Sequence, residues 1–208
     1  TSLVTVTECP STLSLTAFLE GFYSDINTMR ATIYDLGIST DPTETDTLMV
    51  NLWSPLNLSS PTPDYSELAV VHTDGTVDPI TFPAGLGGDS YYIAVKHRNH
   101  LETWSKLPVA FKPAVSYNFT TAQSQAYDDG FNNPMASVAG GKFAFYGGDV
   151  NQDGQIEASD LADVDNDNSG FAYGYNDTDA TGDGPTDASD LQIVDNNSQL
   201  FLFYARPY

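Results

Sequence analysis

Two twelve-residue stretches near the end of the chain carry the strongest constraint. DVNQDGQIEASD spans residues 149–160, and DATGDGPTDASD spans residues 179–190. Each puts an oxygen-bearing side chain at its first, third, fifth, ninth and twelfth positions and glycine at its sixth. Acids packed this closely repel one another unless something positive sits among them. The chain does not supply it. Residues 149–208 hold 13 acids and one base, Arg206, whereas residues 1–148 hold 15 acids and six bases. The simplest counterweight is a bound divalent cation in each stretch.

The spacing suits Ca2+ in particular. Calcium takes six to eight hard oxygen ligands, and acids on alternate residues of a curling loop turn inward together. In the first loop Asp149, Asn151 and Asp153 occupy positions 1, 3 and 5. Gly154 permits the sharp turn, and Gln155 offers its backbone carbonyl. Ile156 anchors the loop to a core, Glu157 stands at position 9, and Asp160 closes the shell. In the second loop the same positions hold Asp179, Thr181, Asp183, Gly184, Pro185, Thr186, Asp187 and Asp190. Thr181 and Thr186 depart from the usual amide or acid and the usual apolar residue. Pro185 still has a carbonyl, which is all its position needs. The first loop is therefore the stronger match. Two calcium sites are expected, and each loop leads into a short helix beginning ASDL, with Leu161 and Val164 or Leu191 and Val194 three residues apart.

Upstream of residue 148 the grammar is that of strands. Leu13, Leu15, Ala17 and Leu19 alternate with other residues, as do Leu48, Val50 and Leu52. ELAVVHT, YYIAVKH, LPVAF, VSYNFT and KFAFYG read likewise. Turn-rich segments at residues 54–64, 73–76 and 85–89 separate them. A single helical turn is expected near residues 122–127. The fold class that follows is mostly β: an antiparallel Ig-like β-sandwich followed by a small EF-hand-like helical unit. The expected division is an N-terminal strand over 1–11, a sandwich over 12–147, the paired loops over 148–199 and an apolar tail over 200–208. The N-terminal strand, with Leu3, Val4, Thr5, Val6 and Thr7, has two readings. It is the first strand of the same sandwich, or it adds to a neighbouring copy's open sheet edge.

Other classes are disfavoured. A formal charge of −21 leaves no basic patch for nucleic acid. No apolar run is long enough to span a bilayer. A start at Thr1 agrees with a processed N-terminus, and Cys9, the single cysteine, allows no internal disulfide. No nucleophile sits in a recognisable elbow, so no enzyme is expected. His97, His100 and Glu102 are expected at an exposed strand end. Trp53, Trp104 and surface tyrosines are candidate stacking platforms for a glycan.

The two loops resemble dockerin repeats over about residues 147–197. A wider resemblance rests on LTAFLEGFYSDINTMRATI, TDTLMVNLW, YYIAVKHRNHLETWS, VSYNFT and FYGGDVNQDGQIEASD. These look like a secreted Bacteroidota module found at the C-terminal end of surface, adhesion or haemagglutinin-like proteins. The resemblance implies export and a calcium-stabilised, non-catalytic role at a bacterial cell surface. The functional expectation is a secreted structural protein that assembles with copies of itself, by strand addition, into a fibre or surface layer. The alternatives are an adhesion or carbohydrate-binding module and a dockerin-type partner-binding tag.

Overall fold

The computed structural model describes residues 10–86, 88–131 and 133–208. The segment holding Leu3, Val4, Thr5, Val6 and Thr7 lies outside the described residues. From Ser11 the chain runs through β1 (Ser11–Thr16), β2 (Tyr23–Asp25), β3 (Thr28–Met29) and one helical turn, α1 (Thr32–Asp35). Then come β4 (Glu44–Trp53), β5 (Tyr65–His72), β6 (Ile80–Phe82), β7 (Ser90–His97) and β8 (His100–Trp104). β9 (Val109–Ala110), β10 (Ala114–Asn118), β11 (Ala136–Val138) and β12 (Lys142–Ala144) complete the strands. Two helices follow, α2 (Ala158–Ser169) and α3 (Ala188–Ser198).

Two sheets face each other. One has the order β10-β1-β6, the other β5-β4-β7-β8, with β9 pairing the start of β7. The alternation in the sequence decides which side of each strand faces in. Leu13 and Leu15 from β1 meet Leu48, Val50 and Leu52 from β4 and Ile93 and Val95 from β7 in one core, filled out by Phe22, Phe82, Phe111, Phe119 and Phe145. Each such side chain contributes about 1.5–3 kcal/mol by leaving water. The large sheet is antiparallel throughout. In the small sheet β1 runs parallel to β10 and antiparallel to β6, so the expectation of a purely antiparallel sandwich needs correcting there. A parallel pair needs a long crossover, and the chain between β1 and β10 supplies it. The turn expected near residues 122–127 is a 3-10 turn at Gln123–Gln125, while α1 has no counterpart in the sequence reading.

The helical unit has its own small core, continuous with the sandwich. Val150, Ile156 and Val164 from the first half meet Ala180 and Val194 from the second. Leu101, Ala136 and Tyr146 join from the sandwich side, and Leu202 from the tail. The tail is clipped to the first loop: the Ile156 N–H donates to Leu202 O (3.0 Å) and the Tyr204 N–H to Gly154 O (2.9 Å). Arg206 then lies over the Trp53 and Trp104 rings, 5.6 and 5.5 Å from their centroids.

The two parts meet tightly at Gly21. A Cβ added there would lie 1.9 Å from the Ala180 carbonyl oxygen, which is backbone and cannot swing aside. Gly21→Ala is expected to destabilise the fold by about 1–3 kcal/mol, the usual cost of overpacking. Urea unfolding checks this, and a midpoint equal to that of the parent protein would contradict it.

Candidate metal centre

Both loops bend through glycine in the left-handed region, Gly154 at φ 90° and Gly184 at φ 101°, which costs a residue without Cβ little. In each loop the first and last carboxylates are buried while the middle one is exposed. Asp179 Oδ1 accepts from the Gly182 and Asp183 N–H groups (2.8 and 3.1 Å), and Oδ2 from the Gly184 N–H (3.0 Å). Asp190 Oδ1 accepts from the Thr181 N–H and hydroxyl (2.8 and 3.0 Å), and its Oδ2 from the Asp187 N–H (2.8 Å). The first loop repeats the scheme. Asp160 Oδ1 accepts from the Val150 and Asn151 N–H groups (2.9 and 3.3 Å), and Oδ2 from the Glu157 N–H (2.9 Å). So the carboxylate at position 12 ties the loop's start to its end and also completes the cap of the following helix.

Position 7 is arranged alike in both loops. Its neighbours bond outward: Tyr204 N–H to Gly154 O and Ile156 N–H to Leu202 O in one loop, Gly174 N–H to Gly184 O and Thr186 N–H to Ala172 O in the other. Alternation along an extended segment therefore turns the carbonyls of Gln155 and Pro185 the other way, toward the loop interior. Position 9 in each loop also caps the helix that follows. Asp187 accepts from the Ser189 N–H and hydroxyl, both at 2.7 Å, and so caps α3. Glu157 Oε1 accepts from the Ser159 hydroxyl (3.3 Å) at the matching place in α2.

The second loop, the poorer match in sequence, is the more convergent. Ligand atoms of Asp179, Asp183 and Asp190 all lie within 4.8 Å of one another, a gathering of carboxylates that the first loop does not match. Asn151 at position 3 of the first loop instead bonds locally, its Oδ1 accepting from the Asp153 N–H (2.9 Å) and its Nδ2 donating to Ser159 Oγ (3.1 Å). In the second, Thr181 brings a hydroxyl onto Asp190. Burial, then the charges of Asp160 and Asp153, push the Asp149 carboxyl up to about 7, against the bonds from Gly154 and Asp153. Burial and the charge of Asp190 push Asp179 up to about 6. Asp160 and Asp190 are also raised, by burial first. Among the described residues no base pairs with Asp149, Asp153 or Asp160, and the second loop has only Arg30, 3.9 Å from Asp183. Carboxylates held together in this way, with carbonyls turned in and too little basic charge beside them to balance their own, have the donor chemistry of a hard cation.

The residues that fasten these loops to the sandwich were not legible as site residues. The β7–β8 turn reaches the second loop: Asn99 Nδ2 donates to Asp177 O (3.0 Å) and Asp179 O (2.7 Å), and Arg98 Nη1 to Asn176 O. Behind it, buried Asp46 takes Arg98 Nε (3.1 Å) and the Tyr175 hydroxyl (2.5 Å). His97 Nε2 lies 3.1 Å from Asp46 Oδ2, without good hydrogen-bond alignment. His97 and His100 are buried, not at an exposed strand end, and their Nδ1 atoms lie 2.9 Å apart. Burial, then the charges of His97 and Arg98, hold His100 well below its ordinary value, so it is neutral near pH 7. On the first loop's side, Gln152 Nε2 donates to His100 O (3.4 Å), and Asn197 of α3 joins Glu20 (2.6 Å) to Gly147 O (2.8 Å). The polar RNH turn between two apolar strands was the signal available for part of this.

No family model matches the chain, and no curated protein matches it. Among solved structures, a chain of a type II cohesin–X–dockerin complex from Acetivibrio cellulolyticus, crystallised as a C-terminal interface mutant, matches with a TM-score of 0.51 and 17% identity. The match covers 90% of this chain and 94% of that one. An N-terminal interface mutant of the same complex gives 0.49 and 15% identity, over 90% and 94%. The likeness is one of fold. This chain is mostly β, a sandwich with a short helical supplement, and no helix among the described residues is long and apolar enough to cross a membrane.

The tryptophans expected as glycan platforms are core residues. Trp53 is 6% exposed and Trp104 1%, with centroids 5.5 Å apart, so neither offers a ring face to a sugar.

Proposed function

We infer that this chain is a non-catalytic, calcium-dependent protein-interaction module of an extracellular or cell-surface assembly. Two Ca2+ ions hold its helical unit against the sandwich. The observation that carries the reading is the convergence of Asp179, Asp183 and Asp190 in the second loop, where Arg30 is the only base ion-paired with them among the described residues, with the same carboxylate hydrogen-bond scheme repeated in the first loop. Asp149, Asn151, Asp153 and Asp160 with the Gln155 carbonyl would hold one ion. Asp179, Thr181, Asp183 and Asp190 with the Pro185 carbonyl would hold the other. Glu157 and Asp187 serve as helix caps that reach an ion through water. Each ion supplies the positive charge that lets its carboxylates ionise together.

The dockerin-type alternative has support in the structural match. Coverage of 90% of this chain exceeds what the sandwich alone supplies, so the match runs into the paired loops. The protein it matches is part of a cohesin–X–dockerin complex, and a protein partner is the corresponding role here. Calcium titrated into metal-free protein is expected to bind at two equivalents, with Asp160→Asn and Asp190→Asn each removing one. Isothermal titration calorimetry reads this, and a stoichiometry of zero, or two sites surviving in either variant, sinks the reading.

Assembly with copies of itself is the second reading, and one feature favours it. Among the described residues β5 is an edge strand, and on its free side only Val70 and His72 are engaged, by Asp78 and Thr76. Leu68 on the same strand is 68% exposed. Such an edge accepts a strand, and Leu3, Val4, Thr5, Val6 and Thr7 of a neighbour are the candidates. Filaments in electron micrographs that vanish when residues 1–9 are deleted would support it, and dispersed monomers in the intact chain would end it.

A further inference from the structure

The outer face of the large sheet carries a small apolar cluster of its own. Trp53 and Trp104 pack there with Ala94, Leu58, Tyr92 and Tyr127, apart from the main core. Part of their cover is a charged group from the tail, the Arg206 guanidinium, which also donates to Leu58 O. An arginine over an indole face is a favourable cover, yet it is one side chain, held only as firmly as the segment that carries it. That segment is held at three points. Leu202 is buried in the small core of the helical unit, the Tyr204 ring lies against Gly154, and Arg206 lies on the tryptophans. Between these points, residues 202–204 bond along residues 154–156 of the first loop. The three loop residues thus have two faces. The outer one holds the tail, and the inner one presents the Gln155 carbonyl. A cation on the inner carbonyl fixes the backbone that the tail bonds to, and the tail fixes that backbone for the cation. Coupling of this kind is reciprocal.

We propose that residues 202–206 are a calcium-governed strap: an ion in the first loop locks it over Trp53 and Trp104, and loss of that ion frees it. Such a strap rests on the calcium reading given above and gives the two sites different tasks. The second loop gathers Asp179, Asp183 and Asp190 within 4.8 Å, whereas the carboxylates of the first are less closely gathered. Drawing Asp149, Asp153 and Asp160 onto an ion costs the first loop a rearrangement that the second is spared, so the first binds more weakly. The second loop pairs instead with residues 172–174. Its ion holds a connection inside the helical unit, while the first loop's ion holds one that leaves that unit for the sandwich.

The chain has two tryptophans, and both lie under the strap, so their emission reads it directly. Calcium is titrated into the metal-free full chain, with calorimetry, tryptophan emission and acrylamide quenching followed together. The tighter site is expected to fill with little change in emission. Filling of the weaker one is expected to shift the emission to shorter wavelength and to reduce quenching. Asp160→Asn is expected to leave the emission at its calcium-free position at every calcium concentration, and Asp190→Asn to keep the shift. Tyr204→Ala, which takes the ring off Gly154, is expected to weaken the weaker site about fivefold or more and to leave the tighter one unchanged. A stoichiometry of zero ends the calcium reading and the strap with it. Two bound ions with an emission that does not move, or that follows Asp190 and not Asp160, overturn the strap alone. Unchanged affinity at both sites in Tyr204→Ala overturns it as well, and decides the matter should Asp160→Asn not fold.

Discussion

Chelation of calcium is expected to lower the melting temperature on the order of 10–30 °C near pH 8 and by much less near pH 5. A ligand present at a thousand times its dissociation constant contributes about 4 kcal/mol per site, and each kcal/mol moves a chain of this size by about 2–4 °C. The pH dependence follows from the two most perturbed carboxyls. Asp149 is pushed up to about 7 and Asp179 to about 6, against about 3.9 in an unfolded chain. Between roughly pH 4 and 7 the metal-free folded protein therefore holds protons that the unfolded chain has released. Stability of the metal-free form falls as pH rises through that window. Calcium needs the ionised carboxylates, so its contribution grows over the same window. Melting curves between pH 4.5 and 8.5, with 5 mM calcium or with a chelator matched to each pH, should diverge as pH rises. Two parallel profiles would show that these carboxylates do not meet a cation.

Asp46→Ala is the single substitution expected to cost most, about 3–5 kcal/mol. Removing one member of a buried charge cluster leaves the others uncompensated, here His97 and Arg98. Burial alone would raise the Asp46 carboxyl. The neighbouring His97, the charge of Arg98 and the Tyr175 hydroxyl outweigh it and hold the group well below the usual carboxylate range. Its contribution is thus present at all pH values above the unfolded carboxyl's and is lost only in strong acid, as pH falls through the depressed value. Tyr175→Phe removes one hydrogen bond of the set and should cost about 1–2 kcal/mol. The effect is also expected to be local. Arg98 and Asn99 hold the carbonyls of Asn176, Asp177 and Asp179, so loss of their support should weaken calcium in the second loop and spare the first. Hydrogen exchange around residues 176–184, read with urea unfolding, separates the outcomes. Equal protection in both loops of the variant would refute this coupling.

The two acidic loops were legible because nearly everything that shapes them lies within twelve consecutive residues. Spacing alone places Asp149, Asn151, Asp153 and Asp160 on one curl, and Asp179, Thr181, Asp183 and Asp190 on another. Spacing does not show what else a loop residue bonds. Position 9 stands at a helix start, and the orphan N–H groups there claim Asp187. The ranking of the loops also turned on contacts that identity does not encode, since Asn151 matches the pattern better than Thr181 yet bonds its own neighbours.

By itself the amino-acid order determined the alternating strands, the two cradles with their helices and the charge imbalance that calls for a cation. All are short-range properties, set by a residue's neighbours two to twelve positions away. Only the tertiary structure decided that β1 and β10 run side by side, that Trp53 and Trp104 bury each other's faces, and that His97 and His100 lie inside. It alone joined Asp46 to Arg98 and Tyr175, 52 and 129 residues away. Contacts across such separations leave no period in the chain, because what selects them is the shape of the space left when two sheets and two loops close on one another.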